Sequence, residues 1–95
     1  MEISELQRVM SETFLERDRA RGVDGTFRWM VEEVGELARA LRDGSVADRR
    51  HEVGDVLAWL TSVANLAGVD LEDAVARYAQ GCPRCGHRPC GCPTA

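Results

Sequence analysis

The chain has 95 residues, and sixteen of them are Asp or Glu. Five of these acids fall into two short motifs, Glu32-Glu33-Val34-Gly35-Glu36 and Glu52-Val53-Gly54-Asp55. On a helix, residues three apart share a face. Glu33 therefore points with Glu36, and Glu52 with Asp55. A turn at Gly44-Ser45 separates the motifs by about ten residues on one side and about nine on the other, so in an antiparallel hairpin they come to nearly the same height. Carboxylates gathered this closely repel and raise one another's pKa. A hard, oxygen-coordinated cation relieves that, Mg²⁺ or Mn²⁺ above all, and such ions keep positions for water and phosphate. The competing expectation is a solvated helix face, with Arg39 and Arg42 as ordinary partners one turn away.

Two tryptophans accompany the acids. Trp29 lies one turn before Glu33 and Trp59 one turn after Asp55. Both are about fifteen residues from the turn, so both indoles belong beside the carboxylates at one end, where a planar base can stack on them. Gly35 and Gly54 sit inside the acidic motifs, although glycine costs about 1 kcal/mol in a helix interior. A close approach of the two backbones would explain them.

A second constellation ends the chain. Cys82, Cys85, Cys90 and Cys92 form Cys-x-x-Cys, four residues, then Cys-x-Cys. Four thiolates close a tetrahedral Zn²⁺ site, and the Cys-Pro-x-Cys-Gly half resembles a zinc knuckle. Two local disulfides or free thiols are the alternatives. His87 is a spare ligand that four cysteines make unnecessary. Zinc would order a tail too rich in Gly and Pro to build a core.

Helical periodicity must position these groups. A first helix is expected over 3–21, with Ile3, Leu6, Val9, Met10 and Phe14 on one stripe. Gly22 and Gly25 mark a break, and Thr26 is placed to cap a second helix over 27–42. Its stripe is Phe27, Met30, Val31, Val34, Leu37, Ala38 and Leu41. A third helix is expected over 46–67, with Val53, Val56, Leu57, Leu60, Val63, Ala64 and Ala67 inward, ended by Gly68. Asp70 caps a fourth over 71–80. No strand pattern competes. The fold class is all-α, a bundle of about four helices over 1–80, followed by a Cys-rich, zinc-knuckle-like tail over 81–95.

With the helices in place, Glu-Glu-x-x-Glu followed by Glu-x-x-Asp resembles the MazG-like branch of the all-α nucleoside triphosphate pyrophosphohydrolases. The resemblance runs from about Leu6 to Tyr78 and includes Asp55-Val56-Leu57-Ala58-Trp59-Leu60. It implies Mg²⁺-dependent cleavage of a nucleoside triphosphate between the α- and β-phosphates, in a house-cleaning role, by a homodimer or homotetramer. It implies Glu33, Glu36, Glu52 and Asp55 as metal ligands and Glu32 as the residue that orients or deprotonates water. Trp59 falls where relatives carry an aromatic residue near the nucleotide. Relatives often hold the outer phosphates with late lysine and asparagine. All twelve cations here are arginine, so Arg77 is the substitute, with Asn65 and Arg28 behind it.

Bulk properties narrow the rest. The net charge of -4 disfavours a stable nucleic-acid partner. The N-terminus lacks the basic start and apolar run of a signal peptide, and no apolar patch is long enough to span a bilayer. A cytoplasmic protein is expected. The rival functional reading is a zinc-bearing helical dimerisation or interaction module without catalysis.

Overall fold

The structure, a computed structural model, describes residues 1–94. Among them every regular element is helical. α1 covers Ile3–Asp43, α2 Val46–Ala67 and α3 Leu71–Val75, and a single 3-10 turn follows over Ala76–Tyr78. None of the helices is long and apolar enough to cross a membrane.

The expected count of four helices is corrected to three. The first two expected helices are one, bent at Gly22, where φ is 84° and ψ 166°. That left-handed φ suits glycine and few other residues. Thr26 accordingly does not cap a helix. It is fully buried inside α1, and its Oγ1 accepts a hydrogen bond from Arg21 Nη1 at 3.3 Å. The expected fourth helix is also shorter than 71–80. Asp70 caps it, accepting from Glu72 N at 2.9 Å and Asp73 N at 3.4 Å, but α-helix stops at Val75.

α1 and α2 form an antiparallel hairpin. A Cβ at Gly44 would come within 2.7 Å of Ala40 O, so the tight turn requires glycine there. Ser45 then caps α2 reciprocally: its Oγ accepts from Asp48 N at 3.1 Å, and Asp48 Oδ2 accepts from Ser45 N at 2.9 Å. These bonds hold the Asp48 carboxyl below its ordinary value. At the open end, Gln7 fastens the start of α1 to the α2–α3 link. It donates to Val69 O at 2.8 Å and accepts from Leu71 N at 2.8 Å. Asn65, a reserve phosphate contact, instead donates to Gln7 O at 3.3 Å.

The interior departs from the expected apolar stripes. The buried residues are mostly small: Ala40, Ala64, Thr26, Thr61 and Ser62, with Leu71 and Asp18. Phe27, Val31, Val34, Leu41, Val53, Leu57 and Leu60 are exposed on the single chain. The fully buried positions are mostly small residues, while Leu6, Met10, Leu15, Met30, Leu37, Val56, Val63 and Leu66 are half-buried and the seven just named are exposed.

Candidate active site

The hairpin brings the two acidic motifs together. Glu33, Glu52 and Asp55 are half-buried, and Glu36 is exposed. Glu33 feels all three of the others. Its carboxyl is raised above the ordinary glutamate value, first by partial burial, then by the charges of Asp55 and Glu52, a carboxyl hydrogen bond with Glu52, and the charge of Glu36. Glu52 Oε2 is buried and has no hydrogen-bond partner. A buried anionic oxygen without a donor is costly, and a divalent cation satisfies it. The donor set fits Mg²⁺ or Mn²⁺: all oxygen, anionic and partly open.

Hollows lie on either side of the cluster. Toward the turn, Glu36, Arg39, Asp43, Asp48 and Glu52 line a polar cavity of about 280 Å³. Arg39 Nη1 is 3.2 Å from Glu36 Oε2, as the solvated-face reading expected, whereas Arg42 pairs with its neighbour Asp43. An exposed pair such as Arg39–Glu36 is weak enough to open for a ligand. Away from the turn, Trp29 and Trp59 stack on each other, centroids 6.1 Å apart and planes 16° apart. Arg21 lies over the Trp59 ring at 4.9 Å.

Not every expected site residue joins this group. Glu32 lines a separate groove with Gly25, Arg28 and Trp29. Arg77 spreads its guanidinium over the ring of Tyr78 at 4.7 Å. Gly35 and Gly54 do not mark a close approach of the backbones, because a Cβ at either would meet nothing within 4 Å. The sequence reading also passed over His51, whose Nε2 is 3.2 Å from Asp55 Oδ2 and which groups with Glu52 and Asp55. Its position four residues before Asp55 was the available signal.

The four cysteines converge as a separate cluster. One Sγ from each lies within 4.8 Å of the others, and Cys82 and Cys92 are 3.7 Å apart. Cys82 N donates to His87 O and Gly86 N to Cys82 O, folding the tail into a tight knuckle. Gly91 N and Cys92 N donate to the sulfurs of Cys85 and Cys90, both at 3.3 Å. Backbone N–H groups of Cys85 and Arg84 pull Cys82 down to about 6. Hydrogen bonds with Cys90, Cys82 and Cys85 push Cys92 up to about 11. The cluster can hold a metal ion without His87.

A family model, the MazG nucleotide pyrophosphohydrolase domain, matches residues 21–84. Among curated proteins none matches the chain. The matched segment spans both acidic motifs, both tryptophans and the start of the cysteine knuckle. With about two thirds of its length inside that match, this chain belongs to the MazG nucleotide pyrophosphohydrolase family.

Proposed function

We propose that the chain hydrolyses nucleoside or deoxynucleoside triphosphates to the monophosphate and pyrophosphate, in a house-cleaning role. What supports this reading is the nearness of Glu33 to Asp55, Glu52 and Glu36, and the buried, unpartnered oxygen of Glu52, inside a MazG-matched segment. Those four side chains would hold Mg²⁺ or Mn²⁺. When bound, the metal supplies charge neutralisation of the triphosphate and activation of water.

The chain's own groups then divide the remaining work. The carboxylates fix where the phosphates lie. Arg39, in the hollow on the turn side, releases Glu36 and pairs with the outer phosphates; this ranks it above Arg77, which is spread over Tyr78. Glu32 lines the separate groove beside Trp29, so a role in orienting or deprotonating the attacking water requires its side chain to turn toward the adjoining Glu33. Trp29 and Trp59 flank the nucleoside end. The active form is a homodimer or homotetramer.

The test is incubation with a panel of NTPs and dNTPs plus Mg²⁺ or Mn²⁺. Pyrophosphate and nucleoside monophosphate are expected in equal amounts. Orthophosphate alone would mean different chemistry. No turnover of any member would favour the interaction module.

Cys82, Cys85, Cys90 and Cys92 take Zn²⁺ as a closed structural site. With Zn–S bonds of about 2.3 Å, a tetrahedron has S–S edges of about 3.8 Å, and the 3.7 Å between Cys82 and Cys92 matches. The protein then divides into a helical unit, 1–80, and a zinc-held tail, 81–95. The reading places it in the cytoplasm, where reducing conditions keep such thiols unoxidised. Protein purified under reduction should carry about one zinc per chain, and Cys85→Ser should lose it. Zinc-free protein with two disulfides would refute the assignment.

A further inference from the structure

His51 stands among the acids of α2, yet it lies outside the two motifs from which the family resemblance draws its metal ligands. It precedes Glu52 and comes four residues before Asp55. On a helix that spacing sets His51 and Asp55 about 40° apart in direction and about 6 Å apart in height, so their side chains can meet. Nε2 of His51 is 3.2 Å from Asp55 Oδ2. One ligand atom from each of His51, Glu52 and Asp55 lies within 4.8 Å of the other two. Asp55 also joins this trio to the rest of the cluster, since its charge acts on Glu33.

The contact can be an ion pair, or two donors to one cation. As an ion pair it gains little, because the side chains are 70% and 40% exposed and water screens them. A charge-assisted N–H···O bond is also shorter, about 2.7–2.9 Å. As two donors to one ion the distance fits. With metal–ligand bonds of about 2.1 Å, neighbouring donors stand about 3.0 Å apart in an octahedron and about 3.4 Å in a tetrahedron. The observed 3.2 Å falls between them. Ligands four residues apart are also how a single helix grips a metal from one face.

A nitrogen donor changes which cation the site prefers. Mg²⁺ is a hard ion held by oxygen, whereas first-row transition ions, Mn²⁺ the hardest of them, also take imidazole nitrogen. We infer that His51 Nε2 is a ligand of the cation held at the acidic cluster, beside Glu52 and Asp55, and that it biases the site toward Mn²⁺ over Mg²⁺. This deepens the pyrophosphohydrolase reading and rests on its metal site.

The probe is Mn²⁺ itself, which is hard enough to leave the thiolate cluster alone. The chain has two histidines, His51 and His87, so nitrogen coupling in pulsed EPR can be assigned. Mn²⁺ bound to the full chain should show the strong coupling of a directly bound imidazole. His51→Gln should abolish that coupling and His87→Gln should keep it. His51 is exposed and glutamine is a good helix former, so the fold should persist, which circular dichroism checks. Loss of the free-ion EPR signal on titration should give an Mn²⁺ affinity about tenfold weaker in His51→Gln, with the calorimetric Mg²⁺ affinity within about twofold of wild type. If His51 only positions Asp55, both ions weaken alike and no imidazole coupling is seen; either result overturns the proposal. Turnover of triphosphate with Mn²⁺ bound and no coupling would overturn it too, and leave the pyrophosphohydrolase reading intact. Coupling from His51 with no turnover of any triphosphate would support the ligand and strike the enzymatic reading. Binding of neither cation would refute both.

Discussion

Glu52→Gln is expected to lower kcat/KM for triphosphate hydrolysis by at least about 10²-fold while leaving the helix content unchanged. Glu52 supplies the buried oxygen that no protein group satisfies. The amide keeps the shape and removes the charge, so a loss of activity without a loss of fold isolates the electrostatic role. Asp55→Asn should behave alike, although its tie to His51 through Oδ2 also goes. Steady-state kinetics over a Mg²⁺ titration checks both. The apparent metal requirement should rise along with the loss in kcat. Full Mg²⁺-dependent pyrophosphate release by both folded variants would refute the site.

Glu33 gives the same assignment a second readout, in stability. Its carboxyl is raised because burial and three neighbouring acids oppose the charged form. Folding therefore favours the protonated group. Its favourable contribution is present below the unfolded value of about 4.5 and is lost as pH rises through the raised folded value. Near neutral pH the metal-free protein bears this strain in full. Glu33→Gln, neutral at every pH, should then melt higher than wild type without metal, and should gain less on addition of Mg²⁺. A structural ion pair would give the reverse, since removing one partner of a useful pair destabilises.

Much of this site was legible because it depends on counting. The 46–67 expectation coincides with α2, since Ser45 and Gly68 punctuate it as the chain's chemistry requires. The equal heights of Glu33 and Asp55 follow from 1.5 Å per residue. Less legible was anything that depends on what a face meets. Gly22 does interrupt the regular helix, as its type suggests, but the two stretches continue as one kinked α1. Asp18 sits four residues after Phe14, on the stripe that begins at Ile3, and a charge on an apolar stripe was a signal that went unused. Periodicity also shows which face is apolar, but not whether the same chain covers it. Val53, Leu57 and Leu60 lie on the apolar face by periodicity and are nevertheless exposed on the single chain.

Those uncovered stripes carry the second large effect. If the proposed homo-oligomer is held by these stripes, Leu57→Glu converts it to monomers by sedimentation and removes cooperative thermal unfolding. Phe27, Val31, Val34 and Leu41 mark one stripe of α1, and Val53, Leu57 and Leu60 one stripe of α2; all seven are exposed on the single chain. Within the chain the fully buried positions are mostly small, and the larger apolar side chains are at best half-buried. Burying the remaining exposed half of a Val, Leu or Phe gains about 1 kcal/mol each. Seven in each of two copies is comparable to the whole stability of a small domain. A chain of this length rarely folds on so thin an interior, and a second copy presents a matching apolar surface. Activity should fall with the oligomer, because Val34 and Val53 each sit beside a carboxylate of the cluster and a copy seated on them walls the site. A wild-type protein that sediments as a monomer and still melts cooperatively would overturn this. If Leu57→Glu remained oligomeric and stable, the interface would have to lie on another face.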